Sequence, residues 1–495
     1  MNGYITVQEA ADKWGITSRQ VQILCKDNRV KDATKMSRIW IIPENTPKPT
    51  MDKKKAVEKA DKFNTVRLSL DKSRWGQHDY RNHIPELTEA TQIALENFSP
   101  LSNDIHEKNS IQLIDFFSGA GGTSLGFAAL NSIIPAFKIL GGCDINEISA
   151  NTYSHNFGTP VIHEDITKLA YENGKLDDFL AHIGYDKNKP LILIGCAPCQ
   201  GFSSHRKKHW NEKDDIRNNL IMVFAEIVKR LKPDAILMEN VPEFLSKRYW
   251  NYFSAVKKCY EENGYTIKSN IHNAADFGVP QERYRSIIIG MKKDFILPEG
   301  YLTANEYRTV RDAIGSLPPV AAGVACPKDS LHKSAAHKQS TIDVMRQVPH
   351  NGGNRPVGAG PACLDKVTGF SDVYGRLFWD KPSITITHYA RNPASGRYTH
   401  PVQDRGLTAR EAALLQSFPD GFEFMGGVDD IFRQIGEAVP PMLSAAIAAR
   451  LLIELLSNIP GKEQLSKNPS SIESPVSSSY SSVIAGIKTK RKAIR

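Results

Sequence analysis

A cysteine in a proline-containing turn is the residue of this chain best suited to covalent chemistry. Cys199 comes shortly after the apolar run at residues 191–194, and Pro198 restricts the backbone immediately before it. A buried strand that ends in such a turn would present the thiol at its tip instead of packing it in the core. Because a thiolate is a strong nucleophile, we predict that Cys199 acts as the nucleophile of a covalent reaction.

The pair Cys196 and Cys199 also has the Cys-x-x-Cys spacing of redox and zinc sites. No second cysteine pair follows at the spacing of a zinc site, and the Pro198-Cys199-Gln200 context accounts for Cys199 by itself. We therefore expect Cys196 to be a core residue and the site to need no metal ion.

Charged residues that could assist this thiol border two other apolar runs. Glu239 lies at the end of residues 235–238, whereas Arg283 and Arg285 precede residues 286–290. A guanidinium group favours the ionised form of a nearby thiol, and a carboxyl group can hold a proton for a substrate. We expect these side chains to lie near Cys199.

A glycine-rich segment, Asp115-Phe-Phe-Ser-Gly-Ala-Gly-Gly122, joins an apolar run to a helical pattern. Glycines at such a junction let backbone N–H groups approach a ligand at the helix N-terminus. Asp144 follows about 20 residues later, at a position that commonly accepts hydrogen bonds from ribose hydroxyls, and Asp165 follows the next strand, where it would lie near an adenine edge. The alternative is that both aspartates are helix caps.

The apolar runs define the fold class and the domains. Runs at residues 111–117, 137–143, 191–194, 235–238 and 286–290 alternate with helical patterns. This alternation predicts an α/β fold with a mostly parallel sheet covered by helices. The predicted parts are an N-terminal module at 1–50, a partly structured linker at 51–108, a catalytic and cofactor-binding domain at 109–295, a loop-rich region at 296–404, a return to the catalytic domain at 405–456 and a disordered basic tail at 457–495.

The first 50 residues are similar to a small α+β winged helix-turn-helix module. Capping-box patterns begin at Thr6 and Thr17, and residues 33–42 alternate like a short hairpin. Exposed basic and polar side chains on the second helix could face DNA, namely Arg19, Gln20 and Lys26. A protein-docking or purely structural module is the alternative.

The composition limits the remaining possibilities. The chain has 495 residues, of which 41% are hydrophobic, enough for at least one large core. The net charge of +9 favours a polyanionic partner, although Lys488, Lys490, Arg491, Lys492 and Arg495 contribute five of the positive charges at the very end.

Seven cysteines without a regular spacing and a start without a signal pattern predict a reduced, cytoplasmic protein. Residues 445–456 predict an amphipathic helix of a soluble protein, because Arg450 and Glu454 interrupt the apolar run.

Taken in order, the motifs resemble those of the DNA (cytosine-5)-methyltransferase family of bacterial restriction-modification systems. The matching segments are residues 117–122, Asp144, Asp165, Pro198-Cys199-Gln200, Glu239-Asn240-Val241, Gln281-Glu-Arg283-Tyr-Arg285, Thr408-Ala-Arg410-Glu411 with Gln416-Ser-Phe-Pro-Asp420, and Gln434-Ile-Gly436 with Val439-Pro440. The resemblance implies a Rossmann-like, S-adenosylmethionine-dependent domain with a smaller target-recognition domain at residues 296–404.

The resemblance also implies roles for individual residues. Cys199 would attack carbon 6 of a cytosine flipped out of duplex DNA. Glu239 would stabilise N3, Arg285 would contact the base oxygen, and Asn240 would support them by hydrogen bonding. Residues implied to bind S-adenosylmethionine are Phe117, Gly119, Gly121, Gly122, Asp144, Ile145, Asp165, Ile166 and Pro198. Residues implied to contact the DNA backbone are Ser203 and Arg217. A cognate restriction endonuclease is an implied partner.

One departure from the family pattern and two alternative functions remain. Where the family usually has Asn, this chain has Glu437, which puts one cofactor contact in doubt. A tRNA cytosine-5 methyltransferase would share the fold, but the Cys-Phe-Thr segment of that branch does not follow Pro198-Cys199. An inert DNA-binding regulator would also share it, although Cys199, Glu239 and Arg285 are all present.

Overall fold

The computed structural model describes residues 3–14, 21–22, 24–25, 30–36, 39–47, 75–98, 111–198, 219–366, 372–457, 471–477 and 484. The chain divides into two compact units. The small unit comprises Met1–Glu58, Arg308–Ser383 and Asn392–Glu411, and the large unit comprises Lys59–Tyr307, Ile384–Arg391 and Ala412–Arg495.

The strands, in chain order, are β1 (Tyr4–Thr6), β2 (Thr34–Met36), β3 (Ile39–Pro43), β4 (Ile111–Phe116), β5 (Phe137–Asp144), β6 (Val161–His163), β7 (Leu191–Gly195), β8 (Ala235–Asn240), β9 (Thr266–Asn273), β10 (Tyr284–Met291), β11 (Ala325–Cys326) and β12 (Asp329–Lys333). The described helices are α1 (Val7–Trp14), α2 (Ile84–Glu96), α3 (Gly122–Asn131), α4 (Glu147–Phe157), α5 (Ile166–Tyr171), α6 (Lys175–His182), α7 (Leu220–Leu231), α8 (Trp250–Glu262), α9 (Val310–Ile314), α10 (Gln339–Gln347), α11 (Ala409–Leu415), α12 (Val428–Glu437) and α13 (Pro441–Leu456).

Seven of the described strands form one sheet at the centre of the large unit. Its order is β6-β5-β4-β7-β8-β10-β9. Strands β4 to β8 pair in parallel, whereas β10 runs antiparallel to both of its neighbours. Every residue of β4 and β7 is buried, as expected for parallel strands with both faces covered. The predicted Rossmann-like α/β fold is therefore confirmed, with a reversed strand that the sequence patterns did not indicate.

Helix α13 is buried on every side, which makes the prediction of an amphipathic helix wrong. All of its residues are buried, because it packs against both α2 and α3. Gly126 permits the close approach of α3, since a Cβ atom there would lie 2.4 Å from the backbone nitrogen of Ala445. The continuous segment Val428–Leu456 is long and apolar enough to cross a membrane, but it is enclosed by the protein, as core helices of soluble proteins are.

An ion-pair network accounts for the two charged residues in this buried helix. Glu454 accepts hydrogen bonds from Arg81 Nε and Nη2 at 3.1 and 2.9 Å, and from Arg450 Nη1 at 3.2 Å. Buried charges persist when they are paired and hydrogen-bonded, so the charges that interrupt the apolar run belong to the core.

The described part of the N-terminal module contains the first predicted helix, the predicted hairpin and one further strand. The start of the second predicted helix lies outside the described residues. The capping box is present, because Thr6 N donates to Glu9 Oε2 at 2.7 Å and Glu9 N donates to Thr6 Oγ1 at 3.2 Å. Strands β2 and β3 form the predicted hairpin, and the unpredicted β1 adds to β3. The predicted DNA-facing residues Arg19, Gln20 and Lys26 lie outside the described residues, so a helix-turn-helix function remains a prediction.

The loop-rich part of the small unit is organised around a buried arginine. Arg376 donates to the carbonyl oxygens of Met345, Val348, His400 and Gln403 at 2.7 to 3.0 Å. One planar guanidinium group thus joins loops that share few strand or helix hydrogen bonds. This explains how a segment rich in glycine and proline can have a defined fold.

Part of the tail departs from the predicted disorder. The backbone N–H groups of Ile472 and Val476 donate to the carbonyl oxygens of Ser269 and Leu245 at 2.8 and 3.0 Å. Residues 471–477 therefore pack against the large unit.

Candidate active site

The sheet reverses its strand order at β4, which defines a crevice at the carboxyl ends of the strands. From β4 the chain continues outward to β5 and β6 on one side, and β7 and β8 extend the sheet on the other. Phe116, the last residue of β4, pairs with Cys143 of β5 and Gly195 of β7, so these strand ends are level. Such a switch point is where open α/β sheets bind ligands.

The predicted glycine turn lies in this crevice and is fastened to β5. The N–H groups of Phe117 and Ser118 both donate to the carbonyl oxygen of Cys143. Phe117, Gly119 and Gly121 all have positive φ angles, of 58°, 51° and 91°. Helix α3 begins directly after this turn, so its N-terminus faces the crevice.

The two predicted cofactor aspartates have different partners. Asp144 Oδ2 accepts from Gly119 N, and its Oδ1 accepts from Asn146 N, both at 2.7 Å. Burial raises the pKa of Asp144, and these two hydrogen bonds oppose the shift. Asp165 caps α5 by accepting from Thr167 N at 2.8 Å, as the alternative interpretation held for this residue. Asp144 instead shapes the glycine turn.

The donors and open space at the turn fit a nucleoside-containing cofactor. Ser118 Oγ is buried and has no hydrogen-bond partner among the described residues, so a ligand oxygen or nitrogen could pair with it. Nothing lies within 4 Å of a Cβ atom built on Gly119, whereas one on Gly122 would lie 2.4 Å from the carbonyl oxygen of Val439. Ile145 is 69% exposed beside Asp144 and could cover an aromatic base. The predicted cofactor residue Ile166 is instead buried in the core.

A series of buried side-chain hydrogen bonds, which the sequence did not reveal, lies beside the turn. Ser124 Oγ donates to Asp115 Oδ2 at 2.6 Å, and Tyr153 Oη lies 2.7 Å from Ser124 Oγ. Burial raises the pKa of Asp115 to about 7, a shift that Ser124 opposes and the nearby Asp144 reinforces. A buried, hydrogen-bonded carboxyl group therefore lies under the crevice.

A second group of polar residues lies at the ends of β8 and β10. Glu239 Oε1 and Arg285 Nε form an ion pair at 2.8 Å, and their side chains are only 13% and 11% exposed. Asn240 Nδ2 donates to the carbonyl oxygen of Ala197 at 3.3 Å, which links the end of β8 to the turn after β7. Ser286 Oγ lies 3.0 Å from the carbonyl oxygens of Asn240 and Val241.

The turn after β7 contains the predicted core cysteine and leads to the predicted nucleophile. Cys196 Sγ lies 3.6 Å from Thr123 Oγ1, and burial raises its pKa well above the ordinary thiol value, with Glu239 and Asp115 adding to the shift. Cys196 is thus poorly suited to form a thiolate. Pro198, which is half-buried, is the last described residue before Cys199.

Comparison with known proteins identifies the family. A family model described as C-5 cytosine-specific DNA methylase matches residues 111–452. The chain is 37% identical over 349 residues to Type II methyltransferase M1.HphI of Haemophilus parahaemolyticus, which covers 69% of this chain and 87% of that protein. It is 34% identical to Type II methylase M.HgiDII of Herpetosiphon aurantiacus, over 68% of this chain and 93% of the relative.

The chain belongs to the C-5 cytosine-specific DNA methylase family. The family and the function that the motifs indicated, methylation of carbon 5 of cytosine in DNA, are thereby confirmed. A solved structure of a prophage-encoded E. coli protein described as a DNA modification methyltransferase has 26% sequence identity and a TM-score of 0.50, covering 70% of this chain and 99% of its own.

Not every residue matched to the family pattern lies in the crevice. Arg283 is buried, and its guanidinium donates to the carbonyl oxygens of Ile386, Gly436 and Ala438 at 3.0 to 3.1 Å. These contacts favour a structural role over the predicted effect on the thiol. Glu437, the departure from the family pattern, is exposed at the end of α12.

Three predicted site residues lie outside the described residues, namely Cys199, Ser203 and Arg217.

Gln281 has a structural role that its motif did not reveal. Its Nε2 donates to Leu415 O and Gln416 Oε1, and its Oε1 accepts from Ile386 N at 2.8 Å. With Arg283 it fastens the segment before β10 to three distant parts of the large unit.

Proposed function

We propose that this protein methylates carbon 5 of a cytosine in a specific duplex DNA sequence, with Cys199 as the nucleophile and S-adenosylmethionine as the methyl donor. The observation that supports this most strongly is the enclosed ion pair between Glu239 and Arg285, joined through Asn240 to the turn that leads to Cys199. A carboxyl group and a guanidinium held together at a strand end can contact adjacent polar atoms of one planar base.

The chemistry requires such a pair because carbon 5 of cytosine is a weak nucleophile. The Cys199 thiolate forms a bond to carbon 6, and the displaced electron pair of the 5,6 double bond moves toward N3 and the carbonyl oxygen on carbon 2. The carboxyl group of Glu239 shares a proton with N3 through a hydrogen bond, and Arg285 donates hydrogen bonds to the carbonyl oxygen. Both contacts stabilise the developing negative charge. Carbon 5 then becomes nucleophilic enough to accept a methyl group.

The product forms when the proton on carbon 5 leaves and the bond from carbon 6 to the sulfur breaks, which restores the aromatic ring and the free thiolate. S-adenosylmethionine, when bound, supplies an electrophilic methyl group on a positively charged sulfur. The residues proposed to hold it are Phe117, Ser118 and Gly119 of the turn, with Asp144 and Ile145 beside them. Asp165 and Pro198 would border the same crevice. The buried hydroxyl of Ser118, which has no partner in the described part of the chain, and the open space at Gly119 support this assignment.

The substrate is proposed to be a flipped base, because carbon 6 is inaccessible inside a stacked duplex. Ser203 and Arg217 are proposed to hold the flanking phosphates, and the loop-rich part of the small unit is proposed to read the sequence. A cytoplasmic location and a restriction endonuclease that cuts the same site complete the proposal.

Bisulfite sequencing of DNA from cells that express the protein tests this function directly. Cells with the intact chain should contain protected cytosines within one recurring sequence, and cells with Cys199→Ser should contain none above background. Parallel assays on purified duplex DNA and tRNA distinguish the substrates. Equal conversion in both cultures, or methylation of tRNA alone, would reject the proposal.

A further inference from the structure

The edge strand of the large sheet is paired with a segment from the far end of the chain. Strand β9 is the last strand on one side of the sheet. Its residue Ser269 turns a backbone N–H and C=O away from β10, and both are bonded to the tail. Ile472 N donates to Ser269 O at 2.8 Å, and Ser269 N donates to Ser471 Oγ at 3.1 Å. The tail thus occupies the hydrogen-bonding positions of Ser269 on the outer side of this edge strand.

The same segment is bonded to the chain just after Glu239. Val476 N donates to Leu245 O at 3.0 Å, and Lys247 N donates to Val476 O at 3.2 Å. Leu245 ends a short 3₁₀ turn, Pro242–Leu245, which is separated from β8 by the single residue Val241. The tail therefore connects strand β9 to the backbone segment that follows Glu239 in the chain.

Apolar contacts add to these hydrogen bonds. Ile472 and Val476 pack against the main hydrophobic core of the large unit. Glu473, between them, forms an ion pair with Lys257 of α8. Burial raises the pKa of Glu473, but hydrogen bonds from Lys257 and Ser471 outweigh it and lower the pKa overall. Because Glu473 is 62% exposed, the apolar side chains contribute more than this pair.

We propose that residues 471–477 form a strap that closes the β9 edge and fixes the 3₁₀ turn behind Glu239. The occupant of this edge is the chain's own tail. The strap lies beyond residues 111–452, the part matched to the methylase family, so the family match does not account for it. Its effect on Glu239 rests on the proposed function, whereas its effect on the sheet edge does not.

Amide hydrogen exchange of the full-length protein tests the strap. We compare the double variant Ile472→Asp/Val476→Asp with the control Ser474→Asp, which adds a charge at an exposed position of the same segment. In the double variant the amides of Lys247 and Ser269 should exchange at least about 10-fold faster, because each loses its acceptor. Amides of β8 and β10 should keep their protection, and the control should match the wild type. Unchanged exchange at Lys247 and Ser269 would overturn the proposal.

Two additions keep the test decisive. The milder pair Ile472→Ala/Val476→Ala applies the same comparison if the charged variant does not fold.

The positioning effect of the strap on Glu239 has a kinetic test. In the double variant the kcat of DNA methylation should fall by about 5-fold while the KM for S-adenosylmethionine stays constant, because the cofactor turn lies at β4 and β5. An unchanged kcat would overturn the positioning effect. An inactive wild type would contradict the proposed function instead, and the exchange result would still decide on the strap.

Discussion

The substitution Asp115→Asn should stabilise the protein more at high pH than at low pH. Asp115 is 1% exposed, and burial raises its pKa from 3.8 to about 7 in the folded state. A group with a raised folded-state pKa contributes stability that is fully present below its unfolded pKa of 3.8 and is lost as the pH rises through about 7. The neutral amide of asparagine does not titrate and can still accept from Ser124.

The size of the effect follows from the two pKa values. Each pH unit between them costs the folded state about 1.36 kcal/mol, so the full cost of Asp115 is about 4 kcal/mol at alkaline pH. At about pH 5.5 roughly half of that cost applies, and above about pH 7 all of it does. The free energy gained by Asp115→Asn should therefore be larger at pH 8.5 than at pH 5.5, by about 2 kcal/mol.

Urea unfolding of both proteins at the two pH values measures this difference. Ser124→Ala should enlarge the loss of wild-type stability with pH, because it removes the hydrogen bond that lowers the Asp115 pKa. Asp178→Asn, at an exposed position, should change stability equally at both pH values. An equal gain from Asp115→Asn at pH 5.5 and pH 8.5 would refute the assignment of a protonated Asp115.

Three further substitutions test individual contacts. Glu454→Ala should destabilise the protein by about 3 to 5 kcal/mol in denaturant unfolding, because Arg81 and Arg450 would lose their buried partner, and a loss below about 1 kcal/mol would contradict the network. Arg283→Met should lower the unfolding free energy by at least about 3 kcal/mol, since three carbonyl oxygens would lose a charged donor, and unchanged stability with lost activity would instead favour a direct catalytic role. Glu239→Gln should reduce kcat by about 100-fold or more, and a variant with normal kcat would exclude Glu239 as the N3 partner.

Much of the large unit could be predicted because parallel strands buried on both faces are continuous apolar runs. Strands β4, β5, β7 and β8 all lie where such runs occur. Strand β9, with the sequence Thr-Ile-Lys-Ser-Asn-Ile-His-Asn, has no such run, because as an edge strand it alternates buried and half-buried residues. Its pairing with β10, which creates the antiparallel end of the sheet, could not be inferred from local pattern.

The residues that sequence reasoning misassigned or missed depend on contacts between distant segments. Arg283 and Arg285 look equivalent in the sequence, but Arg283 precedes β10 and donates to carbonyl groups 103 to 155 residues further along the chain. The charges of α13 suggested a solvent-exposed face, but Glu454 pairs with Arg81 more than 370 residues away. The strap was hidden because a serine- and proline-rich sequence is typical of disorder.

In the proposed reaction the sulfur of Cys199 bonds to carbon 6 of cytosine, and everything else in the mechanism depends on this bond. The most direct measurement incubates the protein with S-adenosylmethionine and a target duplex that carries 5-fluorocytosine, whose carbon 5 cannot lose a proton after methylation. Mass spectrometry of the denatured protein should find one oligonucleotide attached to the peptide that contains Cys199, and none attached in Cys199→Ser. If the duplex is never retained after denaturation, although the same protein methylates the unmodified sequence, the claim is contradicted.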